Sequence, residues 1–170
     1  MSVAEGAAVA IALVACLYDV STSRIPNKLT FTTAALAILF HLFAPAGGGW
    51  SHAVLGLFVG LLVFFPMFAL GAMGAGDVKL MAAVGAWIGA IPILRVALYG
   101  SLAGGVLAVA VALRRGYLKK ALTNVKMLLM FWWVEGIKPF PALTLESTES
   151  LRLPYAVAIA AGLVVTLWQR

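Results

Sequence analysis

Charge is what this chain has least of. Only 11% of its 170 residues are Asp, Glu, Lys or Arg, against about a quarter in ordinary soluble domains. Cysteine is nearly absent: Cys16 stands alone, which excludes an internal disulfide and any site built from several thiolates. The two histidines, His41 and His52, with that one cysteine cannot assemble a metal site, and they read as packing or surface residues near the outer face. No Lys or Arg occurs in the first 23 residues, so the positively charged start of an export signal is missing. Leu13-Val14-Ala15-Cys16 therefore reads as part of a packed helix, not as a lipidation signal. No Ser-His pair with a flanking acid is evident, and Ser101 reads as a hydrogen-bonding neighbour between helices.

What fills the chain instead is apolar surface. Hydrophobic residues make up 64% of it and the mean hydropathy is +1.06, so an all-α polytopic membrane protein is expected, as a single domain over residues 1–170. A spanning helix needs about 20 mostly apolar residues, and six stretches qualify: 3–18, 29–46, 51–71, 78–93, 94–113 and 153–168. The fourth is short, and Pro92 at its far end marks either a tight turn or a kink in one long helix. Lys and Arg are retained in short cytoplasmic loops. With six spans, Arg24, Lys28, Lys79, Arg114, Arg115, Lys119, Lys120, Lys126, Lys138 and Arg152 share one side, ten of the twelve basic residues. Only Arg95 and Arg170 fall opposite, so both termini are expected outside. The net charge of +6 then follows from topology and acidic lipid, without nucleic acid.

Against this background Asp19 and Asp77 stand out. An ionisable group in or at the edge of a bilayer is costly unless paired or hydrated, and so points to function. Asp19 ends span 1 and Asp77 opens span 4, which places both on the cytoplasmic face. Two carboxylates converging there suggest an acid and a base acting on one water. A helix amino terminus favours negative charge and a carboxyl terminus disfavours it; on that ground Asp77 is expected as the base and Asp19 as the protonated partner. Gly74 and Gly76, lacking Cβ atoms, would let a substrate backbone approach as an added strand. Lys79 is either a topological anchor or a partner for Asp77. The pairs Gly56 with Gly60, Gly85 with Gly89, and Gly100 with Gly104 read as close helix contacts.

Between spans 5 and 6, residues 114–152 form an interfacial or cytoplasmic segment. Leu118, Leu122, Val125, Leu129 and Trp132 recur at helical spacing among Lys119, Lys120 and Lys126, which suits an amphipathic helix on the lipid surface anchored by Trp132 and Trp133. It is either a lipid-anchored connector or a lid. Glu146 and Glu149 follow, as possible contacts for a basic peptide. Two other functions compete with hydrolysis: a small proton-coupled transporter using the aspartates as a relay, and a membrane assembly factor in which they pair with Arg24 and Lys79.

Two blocks carry a resemblance. Asp19 followed by Ile25-Pro26-Asn27-Lys28-Leu29-Thr30, and Gly74-Ala75-Gly76-Asp77-Val78-Lys79-Leu80-Met81 with its continuation to Gly89, resemble the type IV prepilin peptidases, bacterial inner-membrane aspartic proteases with a GxGD motif. Pro154-Tyr155-Ala156-Val157-Ala158-Ile159-Ala160 looks like that family's last span. The resemblance implies removal of the short basic leader of prepilin or pseudopilin precursors at the cytoplasmic face, with Asp19 and Asp77 in the catalytic positions and no cofactor or metal. Longer members carry cysteine pairs and also methylate the new amino terminus; with Cys16 alone, this chain is similar to the compact, peptidase-only form of tight-adherence (Flp) pilus systems. Presenilins and signal peptide peptidases share the Tyr-Asp and Gly-x-Gly-Asp idea and a Pro-Ala-Leu motif. Pro141-Ala142-Leu143 is taken as coincidence, since three residues match easily by chance.

Overall fold

A computed structural model describes residues 1–44, 48–139 and 154–169. Among these residues the chain is entirely helical: α1 (Val3–Thr22), α2 (Asn27–Phe43), α3 (Gly49–Ala69), α4 (Ala75–Ile88), α5 (Ala90–Arg114), α6 (Leu118–Glu135) and α7 (Tyr155–Trp168). By length and composition α1, α3 and α5 suffice to cross a membrane, and α2 and α7 are shorter apolar helices. The protein is a polytopic membrane protein. Leu17, Phe31, Leu39, Leu55, Phe58, Leu62, Leu98, Leu102 and Val106 are all exposed, an outward apolar surface that suits lipid and not water.

The core sits around α4, on which every residue from Leu80 to Ile88 is buried. Burial of this kind requires neighbouring backbones to come close, and glycine makes the room. α4 runs antiparallel to α3, with Gly56 opposite Gly85 and Gly60 opposite Met81; a Cβ on either α3 glycine would strike backbone. α7 pairs with α5 in the same way, Gly100 lying opposite Ala158 and Gly104 opposite Tyr155. Trp87 ties α4 to α2, its indole N–H donating to the Thr33 carbonyl while His41 Nε2 donates to the carbonyl of Trp87. His41 is buried and stacks near His52, so both histidines belong to the end of the bundle remote from the aspartates.

The fourth and fifth spans divide at Gly89, not beyond Pro92. Gly89 has φ 86° and ψ 174°, a conformation open to glycine that breaks the helix within one residue. Pro92 falls in the first turn of α5, where a missing N–H removes no helical hydrogen bond. The chain reverses there, and α5 returns alongside α3. The interfacial segment expected after span 5 contains α6, which has no buried residue and lies nearest α5.

Gly56→Ala is expected to cost about 2 kcal/mol or more through overpacking, whereas Gly105→Ala, with nothing within 4 Å of the added methyl, should be near neutral. Thermal unfolding midpoints of the two variants in detergent measure the difference.

Candidate active site

One end of the bundle collects the carboxyl end of α1, the amino ends of α2, α4 and α7, and the turn leaving α3. Helix α1 closes through its own polar residues: Ser21 and Thr22 hydroxyls donate back to the carbonyls of Leu17 and Tyr18, and Ser23 caps it in the left-handed region at φ 52°. Asp19 lies one turn before that cap, half-buried. The chain then passes through Ile25, which is buried, and Pro26 starts α2.

Asp77 stands in the first turn of α4, which begins at Gly74 in extended conformation without a side-chain cap. Its carboxylate turns back on Gly74: a Cβ at Gly74 would lie 3.2 Å from Oδ2. Its other oxygen, Oδ1, is buried with no hydrogen-bond partner among the described residues. Buried carboxylate oxygens are ordinarily satisfied, by protein or by water, so Oδ1 is open to a further hydrogen-bond donor.

The two sequence blocks dock directly on each other. A Cβ at Gly76 would come within 3.2 Å of Ile25 Cβ, so the absent side chain of one block makes the seat for the other. One turn further on, Lys79 Nζ donates to Asn27 Oδ1 at 2.9 Å and lies 5.5 Å from the centroid of the Phe31 ring. Lys79 thus fastens α4 to α2, a contact that neither of the two uses expected for it describes. These contacts bring the Asp19 and Asp77 carboxylates close enough to interact electrostatically.

A third element completes the site. The backbone N–H of Ala156, in the first turn of α7, donates to Asp19 Oδ2 at 3.1 Å. The expectation that helix dipoles set the two acids apart therefore needs correction. Asp77 is at the amino end of α4 and Asp19, although near the end of its own helix, faces the amino end of α7, so both carboxylates meet the positive end of a helix. Nothing in the motif spacing gave Ala156 this role; the restart of apolar sequence after Pro154 was its only trace. Beside the pair, Phe64, Met67, Met73, Leu98, Ser101 and Tyr155 help line an apolar groove of about 610 Å³.

Gly74, Gly76, Asp19 and Asp77 are thus assembled at one place, Lys79 is at its edge, and Glu146 and Glu149 lie outside the described residues, as does Pro141-Ala142-Leu143. Among the described residues no group of three His, Cys, Asp or Glu side chains is placed to hold a metal ion.

Comparison with known proteins gives the family. The family model described as the type IV leader peptidase family matches residues 7–109, a stretch that contains both aspartates. A prepilin leader peptidase/N-methyltransferase of Aeromonas salmonicida (strain A449) is 34% identical over 111 residues, covering 58% of this chain and 36% of the relative. The similarly named protein of Aeromonas hydrophila matches to the same extent. One from Pectobacterium carotovorum subsp. carotovorum is 32% identical over 99 residues, with 54% of this chain and 35% of the relative covered. The chain thus spans about a third of the length of the curated relatives it matches. No solved structure matches.

The docking of the two blocks predicts a coupled pair of substitutions. Ile25→Ala should cost about 3 kcal/mol as a buried truncation, and Gly76→Ala should destabilise by crowding Ile25. The double variant should be more stable than the sum of the singles implies, because the truncation clears space for the added methyl. Detergent unfolding midpoints of the three variants provide the measurement.

Proposed function

The chain belongs to the type IV leader peptidase family, and from that premise we propose that it is a membrane aspartic endopeptidase that cuts the short basic leader from type IV prepilin-like precursors. The observation that carries the proposal is the convergence of Asp19 and Asp77, from distant parts of the sequence, with a buried Asp77 oxygen that has no partner among the described residues.

The chemistry requires one shared proton between two carboxylates. The ionised carboxylate takes a proton from a water molecule as that water attacks the scissile carbonyl carbon. The protonated one donates to the carbonyl oxygen, on which charge develops. A tetrahedral diol results. In its collapse one diol hydroxyl gives its proton to the ionised carboxylate as the C–N bond breaks, the nitrogen takes the other carboxyl's proton, and a new carboxyl and a new amine leave with the dyad again holding one proton. Such a pair titrates jointly, and its pH dependence belongs to the pair.

Family membership supports prepilin or pseudopilin substrates. The apolar groove beside Tyr155 would suit the hydrophobic segment that follows a leader. The basic residues Arg24, Lys28 and Lys79 share the end of the bundle that holds the aspartates, which supports a cytoplasmic-facing site in a bacterial inner membrane with both termini outside. The relatives' names include N-methylation. We assign the peptidase step to the residues present, on the pairing of Asp19 with Asp77, and no methyl transfer to them, because Cys16 is their single cysteine. A transmembrane proton relay is disfavoured, since α2, α3, α5 and α7 contain no Asp or Glu to continue one across the bundle.

Coexpression with a small pilin precursor is the direct test. Asp19→Asn and Asp77→Asn should each lower leader removal at least about a thousandfold at unchanged membrane abundance. Wild-type cleavage in either variant would remove that residue from the mechanism. The pH–rate profile of the wild type should be bell-shaped, as expected when one carboxyl must be ionised and the other protonated. A purified protein that transfers a methyl group to the cut product would refute the peptidase-only assignment.

A further inference from the structure

We propose that the amino terminus of α7 is a clamp that fixes the Asp19 carboxylate, with Tyr155 as its positioning residue. The first N–H groups of any helix lack intrahelical acceptors, and α7 begins at Pro154 without a side-chain cap of its own. Asp19 supplies the missing acceptor from another helix, through the 3.1 Å bond from Ala156 N–H. The need is mutual. Asp19 lies in the last turn of α1, where that helix's own carbonyls repel a carboxylate, and a charge-assisted bond to a backbone N–H offsets the repulsion.

A backbone donor is only as well placed as the turn that carries it, and Tyr155 sets that turn. Its ring meets Phe64 of α3 edge-on, with centroids 5.8 Å apart and planes at 76°. On the opposite side it lies over Gly104 of α5, where a Cβ would come within 2.8 Å of Cε2 and 3.3 Å of Cζ. Ala156 itself is fully buried. The first turn of α7 is therefore held by α3 and α5 through a ring and by α1 through a hydrogen bond. A shift of the ring moves the N–H away from Asp19. The Tyr155 hydroxyl has no part in this, so Phe should serve at the position and Ala should not.

The proposal rests on the cleavage reading only for its kinetic half, and two measurements keep the two apart. In the first, Gly104→Ala, which displaces the Tyr155 ring from outside the groove, should lower kcat about tenfold with KM within about twofold; Tyr155→Ala, which also removes part of the groove wall, should lower kcat about tenfold and raise KM, and Tyr155→Phe should recover kcat relative to Tyr155→Ala. In the second, detergent unfolding midpoints of Asp19→Ala, Tyr155→Ala and the double variant should be non-additive, since both singles break the same bond. Tyr155→Leu replaces Tyr155→Ala in both measurements if the latter does not accumulate. Additive unfolding shifts overturn the clamp. Coupled shifts with an unchanged kcat, or an effect confined to KM, overturn the positioning role. If the wild type cuts no precursor, the cleavage reading falls, and the unfolding cycle alone decides whether α7 holds Asp19.

Discussion

The close approach of α3 to α4 is the constraint on which the rest of this structure depends. A helix surrounded on all sides must be apolar along its length and approached by backbones instead of side chains, and the glycines at 56, 60 and 85 meet that requirement. The position of Asp77 follows, because the turn that begins α4 is carried into the bundle with it. The single-residue reversal at Gly89 and the seating of Ile25 on Gly76 are further consequences of fitting one short helix inside a ring of others.

Around that helix, the site is an assembly of ends. Three helices contribute a terminus apiece: α1 brings Asp19, α4 brings Asp77, and α7 brings the Ala156 N–H. Helix termini are the parts of a membrane bundle where backbone donors remain unused, so they are the economical places to hold negative charge in an apolar surrounding. Lys79 strengthens the assembly from outside by fastening α4 to α2 through Asn27. This explains why the residues of both motif blocks that carry no carboxylate still recur around the pair: they are the fasteners that keep two remote acids together.

Much of this was legible in the sequence because it rests on local signals. Apolar length and the distribution of Lys and Arg gave the six apolar helices that pack in the bundle and grouped Asp19 with Asp77, and the small-residue spacings marked the tight helix contacts. What stayed hidden depends on contacts between distant residues. Gly89 is one of 17 glycines and one of six with positive φ among the described residues, so no local signal marks it as the reversal, whereas Pro92 drew attention and proved to be an ordinary first-turn proline. Lys79 beside Asp77 in sequence suggested an ion pair; helical geometry turned it toward α2. The dipole argument treated Asp19 by its own helix, and a neighbour's first turn, invisible to spacing, changed its surroundings.

The shortness of α4 has a consequence for how such a molecule would obtain the water that hydrolysis consumes. Its 14 residues rise about 21 Å, while α5 runs for 25 residues. In hydrocarbon about 30 Å thick the shorter helix stops short of the membrane faces, and because its sides are covered by other helices it leaves a recess bounded by protein over each of its ends. The Asp77 end of α4 is one of those two places. Solvent would then reach the carboxylates from that recess, inside the rim of the bundle, with no pore through the protein required.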